Sequence, residues 1–364
     1  MNNSNVKRKL IFILPSLESG GAETVILNLI AHLDRALYSA ELLVLDGKGP
    51  LKETVPSHVV VHDLETPRLR HAIFKIIKII RSQRPELIIS SICHINIALL
   101  ALRPLFFRKN KVIVRESNTP SKRLASLPFP ALFKTGYRLF YPKADKVLCL
   151  SKQMADEIIR DYHVLPDRIE ILWNPANVKK IRSLAGTPIR IPGKGIRFVA
   201  AGRLIEQKGF DRLIEMLASI SCNVHLTILG HGPQKKKLHD MITHLGLEEK
   251  VRLAGFTKNP WAYYAGADAF LLSSRWEGMP NAALEALACG TRVIATPEAG
   301  AIDEVAQMTK PGSVTLAETG APFVRVMESV QPDLISTPRK TLLPSQFFPE
   351  SVLKQFSKIL ESIF

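Results

Sequence analysis

Apolar runs, glycine-bearing turns and helically spaced apolar positions follow one another along the whole chain. Residues 9–14 are an unbroken apolar run, which fits a strand of a parallel sheet covered on both faces. It gives way to a Gly20-Gly21 turn and then to Val25, Leu29 and Leu33, the spacing of a helix. Further strands are predicted at 40–45, 59–62, 86–91, 111–115, 146–150 and 169–173. Helices are predicted between them at 69–83, 95–106, 130–140 and 152–161. Such alternation predicts an α/β chain built on a doubly wound open sheet.

At residue 196 the pattern starts again, with strands at 196–201, 224–229, 250–253, 268–272 and 291–295. The stretch between the halves, 182–195, is rich in Pro, Gly and basic residues and reads as a linker. With 364 residues the chain is long enough for two cores. The expected division is therefore a first domain over 1–181, a linker over 182–195 and a second domain over 196–345. A closing helix over 346–364 places Val352, Phe356, Ile359 and Phe364 at helical spacing. Residues 311–345 carry no readable motif.

Composition narrows the class. Hydrophobic residues make up 46% and charged residues 23%, a soluble globular balance. The four cysteines are scattered within apolar runs, as buried thiols of a reducing compartment would be. The basic and apolar start imitates a signal peptide, but its apolar run is too short for one. Residues 87–107 are apolar but contain His94, Asn96 and Arg103, so a strand and a helix fit better than a membrane span.

The net charge of +16 is concentrated. Residues 101–146 hold eleven Lys or Arg against two acids, with seven aromatics among them. Basic residues mixed with aromatics suit an anionic membrane surface. The bland alternative is an ordinary amphipathic helix with a solvated basic face. Nucleic acid is not expected, because no RNA-binding motif is present.

The chemistry concentrates in residues 270–290, FLLSSRWEGMPNAALEALACG. A short strand leads to a turn holding Glu277, and Pro280-Asn281 opens a helix carrying Glu285. A helix N-terminus offers free N–H groups and the positive end of a dipole, so an anion can sit there. A second cluster is Gly202-Arg203-Leu204 with Lys208-Gly209 close behind. Two cations at a strand-to-helix turn suit a diphosphate that gains charge as it leaves. Gly20-Gly21 before a helix offers a weaker phosphate cradle.

Glu277 and Glu285 with seven residues between them, together with Gly-Arg-Leu and Lys-Gly, resemble the motifs of retaining GT-B glycosyltransferases of the Glu-x7-Glu type. These belong to glycosyltransferase family 4, with many members in bacterial cell-surface polysaccharide and lipopolysaccharide synthesis. The resemblance implies two Rossmann-like domains facing across a cleft, the last helix crossing back to the first. It implies a nucleotide-sugar-dependent hexosyltransferase using a UDP- or GDP-sugar and a glycan or lipid-linked acceptor, with no cofactor and no metal. A cytoplasmic protein, peripheral on the membrane's cytoplasmic face, is expected.

The same resemblance assigns roles. Arg203, Lys208, Gly21 and the Pro280, Asn281 and Ala282 turn would hold the donor diphosphate. Glu285 would take the ribose, and Gly230 and Phe256 the base. Glu277 and His94 would act on the transferred sugar. A lone His after an apolar run is otherwise more often structural. Glu116 and Asn118, ending another strand, are guesses for the acceptor. One departure is Thr291-Arg292, where the family usually has a small residue and Pro; Arg292 could alter what the cleft accepts. The rivals are a nucleotide-sugar epimerase or a phosphorylase on the same fold, or a non-catalytic basic module for membrane or RNA.

Overall fold

A computed structural model of the chain describes residues 7–18, 20–106, 109–125, 127–189, 195–332 and 339–364. It forms two compact units. The first is Met1–Pro175 with Glu350–Phe364, and the second is Ala176–Pro349.

The first unit is a sheet of seven parallel strands: β1 (Arg8–Ser16), β2 (Tyr38–Asp46), β3 (Val60–Asp63), β4 (Leu87–Ser91), β5 (Lys111–Arg115), β6 (Lys146–Cys149) and β7 (Ile169–Ile171). Their order is β3-β2-β1-β4-β5-β6-β7. Period-two alternation splits β1 between two cores. Leu10, Phe12 and Leu14 pack with the helix Gly21–Ala31 and with Val352, Phe356, Ile359 and Leu360 of the helix Pro349–Ile363. Ile11 and Ile13 face the other way, toward the helices Leu69–Gln83 and Cys93–Leu102. The closing helix thus completes one face of the first sheet.

The second unit holds six parallel strands: β8 (Ile196–Ala201), β9 (Val224–Leu229), β10 (Val251–Gly255), β11 (Ala269–Leu272), β12 (Arg292–Ala295) and β13 (Val314–Leu316). They run in the order β10-β9-β8-β11-β12-β13. Both sheets reverse direction once, at β1/β4 and at β8/β11. Loops leaving the carboxyl ends of strands beside such a reversal are where open α/β sheets bind ligands.

Some expectations move. The unit boundary falls at Pro175 because the helix Val178–Leu184 packs within the second unit, beside the helices Trp261–Ala265 and Asn281–Ala288. Part of the expected linker, 190–194, lies outside the described residues. The unread stretch contains β13 and the helix Ala321–Glu328, whose Phe323 and Met327 are core. The helix expected over 95–106 starts earlier, at Cys93, and ends at Leu102.

Candidate active site

In the second unit the loops after β8 and β11 are joined at several points. Lys208 Nζ forms an ion pair with Glu277 Oε1, and Ser274 Oγ donates to the same oxygen at 2.8 Å. Arg275 N–H donates to the Gln207 carbonyl at 2.8 Å, and Gln207 Nε2 donates to the Trp276 carbonyl at 3.0 Å. Ser273 Oγ donates to the Lys208 carbonyl at 3.1 Å. Arg275 binds both carboxylate oxygens of Asp211, at 2.7 and 2.9 Å. Arg212 donates to the carbonyls of Ser273 and Ser274 at 2.7 and 2.8 Å. A cation and a carboxylate distant in sequence are therefore presented on one stiff frame.

Glycine makes the close approach possible. Gly209 has φ +63°, and a Cβ there would lie 2.1 Å from the Ser273 carbonyl oxygen. Gly300, at φ +69°, backs the Glu277–Gly278 turn in the same way, with a Cβ 2.5 Å from the Glu277 carbonyl oxygen. No residue with a side chain fits either position without moving backbone.

Arg203 stands exposed just beyond β8. Pro280 caps the helix Asn281–Ala288, and its carbonyl accepts from the Ala283 and Leu284 N–H groups. The amides of Asn281 and Ala282 occupy the first turn, where no intrahelical acceptor exists. Further along this helix, Glu285 Oε2 accepts from Trp261 Nε1 at 3.0 Å. Burial pushes the Glu285 carboxyl up to about 7, with the indole N–H opposing the rise.

Phe256, just after β10, is exposed and meets His231 edge-on at 6.0 Å. Gly230 has a backbone duty: its N–H donates to the Gly255 carbonyl, and a Cβ would fall 1.9 Å from the Gly202 carbonyl oxygen. Arg292 begins β12, at the amino edge of the sheet and away from the carboxyl-end loops. Its suggested influence on ligand choice is therefore withdrawn.

In the first unit, Gly21 opens the helix after β1, and His94 lies in the first turn of the helix after β4, where a loop had been expected. These two elements flank the β1/β4 reversal. Burial lowers the His94 pKa, and the nearby Arg123 charge lowers it further. Just before it, Ile92 has φ +139°. A β-branched residue in that region carries strain on the order of 1–3 kcal/mol.

Glu116 does not offer its carboxylate to an acceptor. It is buried, and its oxygens accept from Tyr137 at 2.9 Å, from Asn96 at 3.0 Å and from Tyr141. Burial pushes it up to about 7 against these hydrogen bonds. The cause is that Tyr137 and Tyr141 turn inward, so they also leave the expected surface of aromatics. Asn118 lies near the end of β5, partly exposed. Arg115 is fully buried, donating to Ser91 Oγ at 3.1 Å and to Asn174 Oδ1.

The basic segment keeps a different apolar surface. On the helix Pro130–Phe140, Leu132 and Leu139 are exposed beside Lys134 and Arg138, with Phe129 just ahead. Phe107 lies outside the described residues. The sequence reading missed a second such element. The helix Leu69–Gln83 has no acid, exposes Arg70, Lys75, Lys78 and Arg81, and leaves Phe74 83% exposed. Both helices neighbour Cys93–Leu102. Ile76 and Ile80 share a core with Ile95 and Leu99, and Gly136 lies against Ile97.

No group of His, Cys, Asp and Glu able to hold a metal ion occurs among the described residues. No helix among them is long and apolar enough to cross a membrane.

Two parallel Rossmann-like sheets, with the loops after β8 and β11 joined at the switch point of the second, define a class, and sequence comparison agrees with it. Residues 19–180 match the Glycosyltransferase Family 4 model and residues 187–330 the Glycosyl transferases group 1 model. The chain belongs to this family of GT-B, nucleotide-sugar-dependent glycosyltransferases. One relative is the N-acetylgalactosamine-N,N'-diacetylbacillosaminyl-diphospho-undecaprenol 4-alpha-N-acetylgalactosaminyltransferase of Campylobacter jejuni. It is 32% identical over 302 residues, which is 79% of this chain and 80% of that one. The amylovoran biosynthesis glycosyltransferase AmsD of Erwinia amylovora is 25% identical over 285 residues, 76% and 78% of the two chains. Among solved structures, HepE of Anabaena in complex with UDP-glucose shares the fold. Its TM-score is 0.76 at 20% identity, covering 97% and 99% of the two chains.

Proposed function

We propose that this protein transfers a hexose or hexosamine, with retention at the anomeric carbon, from a UDP- or GDP-sugar to a lipid-linked glycan in surface polysaccharide synthesis. The observation that carries the reading is the Lys208–Glu277 pair at the β8/β11 reversal, beside the N-terminus of the Glu285 helix. On this reading Arg203, Lys208 and the Pro280–Ala282 turn hold the diphosphate. Lys208 is drawn from Glu277 toward the leaving group as charge grows on it, and Glu277 takes sugar hydroxyls. Glu285 accepts from the ribose, and Phe256 offers a face to the base. Positive side chains and helix N–H groups serve in place of a metal ion.

Retention is proposed from the Glu-x7-Glu resemblance and from the alpha linkage in the Campylobacter relative's name. That name also supports a diphospho-undecaprenol type of acceptor. The two basic helices with exposed apolar residues support docking on the anionic cytoplasmic face of a membrane.

The test is thermal denaturation with UDP, GDP and their sugars, with and without EDTA, followed by transfer to a short lipid-diphosphate glycan. A nucleotide at a hundredfold its Kd should stabilise by about 2.7 kcal/mol. Stabilisation by none of them would sink the proposal.

A further inference from the structure

The buried acid of the first unit is tied to the turn that carries His94. Asn96 sits two positions after His94, and its side chain is saturated. Its Nδ2 shares two hydrogens among three acceptors, Glu116 Oε1 at 3.0 Å, the Arg115 carbonyl at 3.0 Å and Tyr141 Oη at 3.1 Å. Its Oδ1 accepts from Ser90 Oγ at 2.6 Å. The N–H groups of Ile95 and Asn96 both donate to the Ile92 carbonyl at 3.0 Å. The strained Ile92 is therefore clamped through Asn96 to the end of β5. Glu116 anchors that clamp, because Tyr137 and Tyr141 from another element converge on its carboxylate.

We propose that Glu116 is the positioning residue of His94: through the Asn96 amide its carboxylate holds the strained Ile92 turn, and so sets where the imidazole stands. The proposal rests on the reading that His94 serves the transfer reaction. An isolated buried carboxylate is costly, and so is a strained backbone; each persists here because the other elements over-determine it. Glu116, Tyr137 and Tyr141 all lie outside residues 90–96, so the turn is held by partners distant in sequence.

The experiment follows the histidine side chains of the full-length protein by NMR, with the His94 signal assigned by its loss in His94→Gln. Glu116→Ala and Asn96→Ala should each move the His94 titration midpoint upward, as the turn relaxes and the ring gains water. Losing the Glu116 charge alone would move it downward, so the direction separates release of the turn from a change of field. Glu116→Gln keeps the acceptor oxygen and the volume and loses only the charge, so the midpoint should hold or fall but not rise. The double variant Glu116→Ala/Asn96→Ala should move it no further than either single one.

An unmoved or lowered midpoint in folded Glu116→Ala, or an equal rise in Glu116→Gln, overturns the proposal. Should Glu116→Ala not fold, Asn96→Ala decides by the same criterion. In transfer assays Glu116→Ala should lower kcat about tenfold or more while the KM for the nucleotide sugar stays put. Normal turnover by His94→Gln would instead remove the role of His94, and leaves the NMR result to stand on its own.

Discussion

Lys208 and Glu277 are 69 positions apart, yet their side chains form an ion pair. The separation spans three strands of the second sheet, and the pairing follows from the sheet order, which puts β8 beside β11. A partly buried lysine and a buried glutamate would each be costly alone; paired, each offsets the other's charge.

Lys208→Ala should therefore harm transfer more than binding. We expect kcat/KM to fall roughly 10²-fold, as for loss of one preorganised donor to a developing anion. The stabilisation by nucleotide should shrink but persist through Arg203. Combined with Glu277→Gln, the loss should be smaller than the sum of the two, measured as a double-mutant cycle. Additive losses would mean that the pair does not act as a unit.

Glu285→Gln tests a pH effect whose sign is fixed. The folded pKa is raised from 4.5 to about 7, so the folded chain holds a proton that the unfolded chain releases. Stability from this group is full below about 4.5 and is lost as pH rises through about 7. Glutamine escapes that loss. Tm of Glu285→Gln minus Tm of wild type should be larger at pH 8 than at pH 5, while the shift given by UDP or GDP diminishes. A difference that is flat with pH contradicts the assignment.

Gly209→Ala should destabilise the second unit by about 1–3 kcal/mol, the cost of a left-handed residue with a side chain and a displaced neighbour. The clash is with backbone, the Ser273 carbonyl oxygen at 2.1 Å, so no rotamer relieves it. Chemical denaturation measures the cost directly.

Replacing Phe74, Leu132 and Leu139 together by Gln should shift Tm by no more than about 5 °C, since all three are exposed. The same variant should release the protein from anionic liposomes at low salt. Retention on vesicles equal to wild type would assign those exposed residues no part in docking.

Much of this was legible beforehand. Unbroken apolar runs such as Leu10–Leu14 announce doubly covered strands, and Arg203, Lys208, Glu277 and Glu285 stand out through their resemblance to the family's motifs. What was hidden depends on distant partners or on backbone angle. Glu116 looked like a strand-end acid because nothing near it shows that Tyr137 and Tyr141 fold over it. The positive φ of Ile92 leaves no trace in hydropathy. Ser313-Val314-Thr315-Leu316 is too short and polar to signal β13. Arg292 opens a strand that the sequence does announce, and in a parallel sheet that end lies opposite the ligand loops.

The helix Pro349–Ile363 sets an order of events at the ribosome. Val352, Phe356, Ile359 and Leu360 fill one face of the first sheet, but they emerge only after Ala176–Pro349 has been made. The second unit, translated later, can therefore mature earlier, while the first waits with Leu10, Phe12 and Leu14 incompletely covered. That exposed face is what a chaperone would meet on the nascent chain, and it disappears once Pro349–Ile363 packs on it.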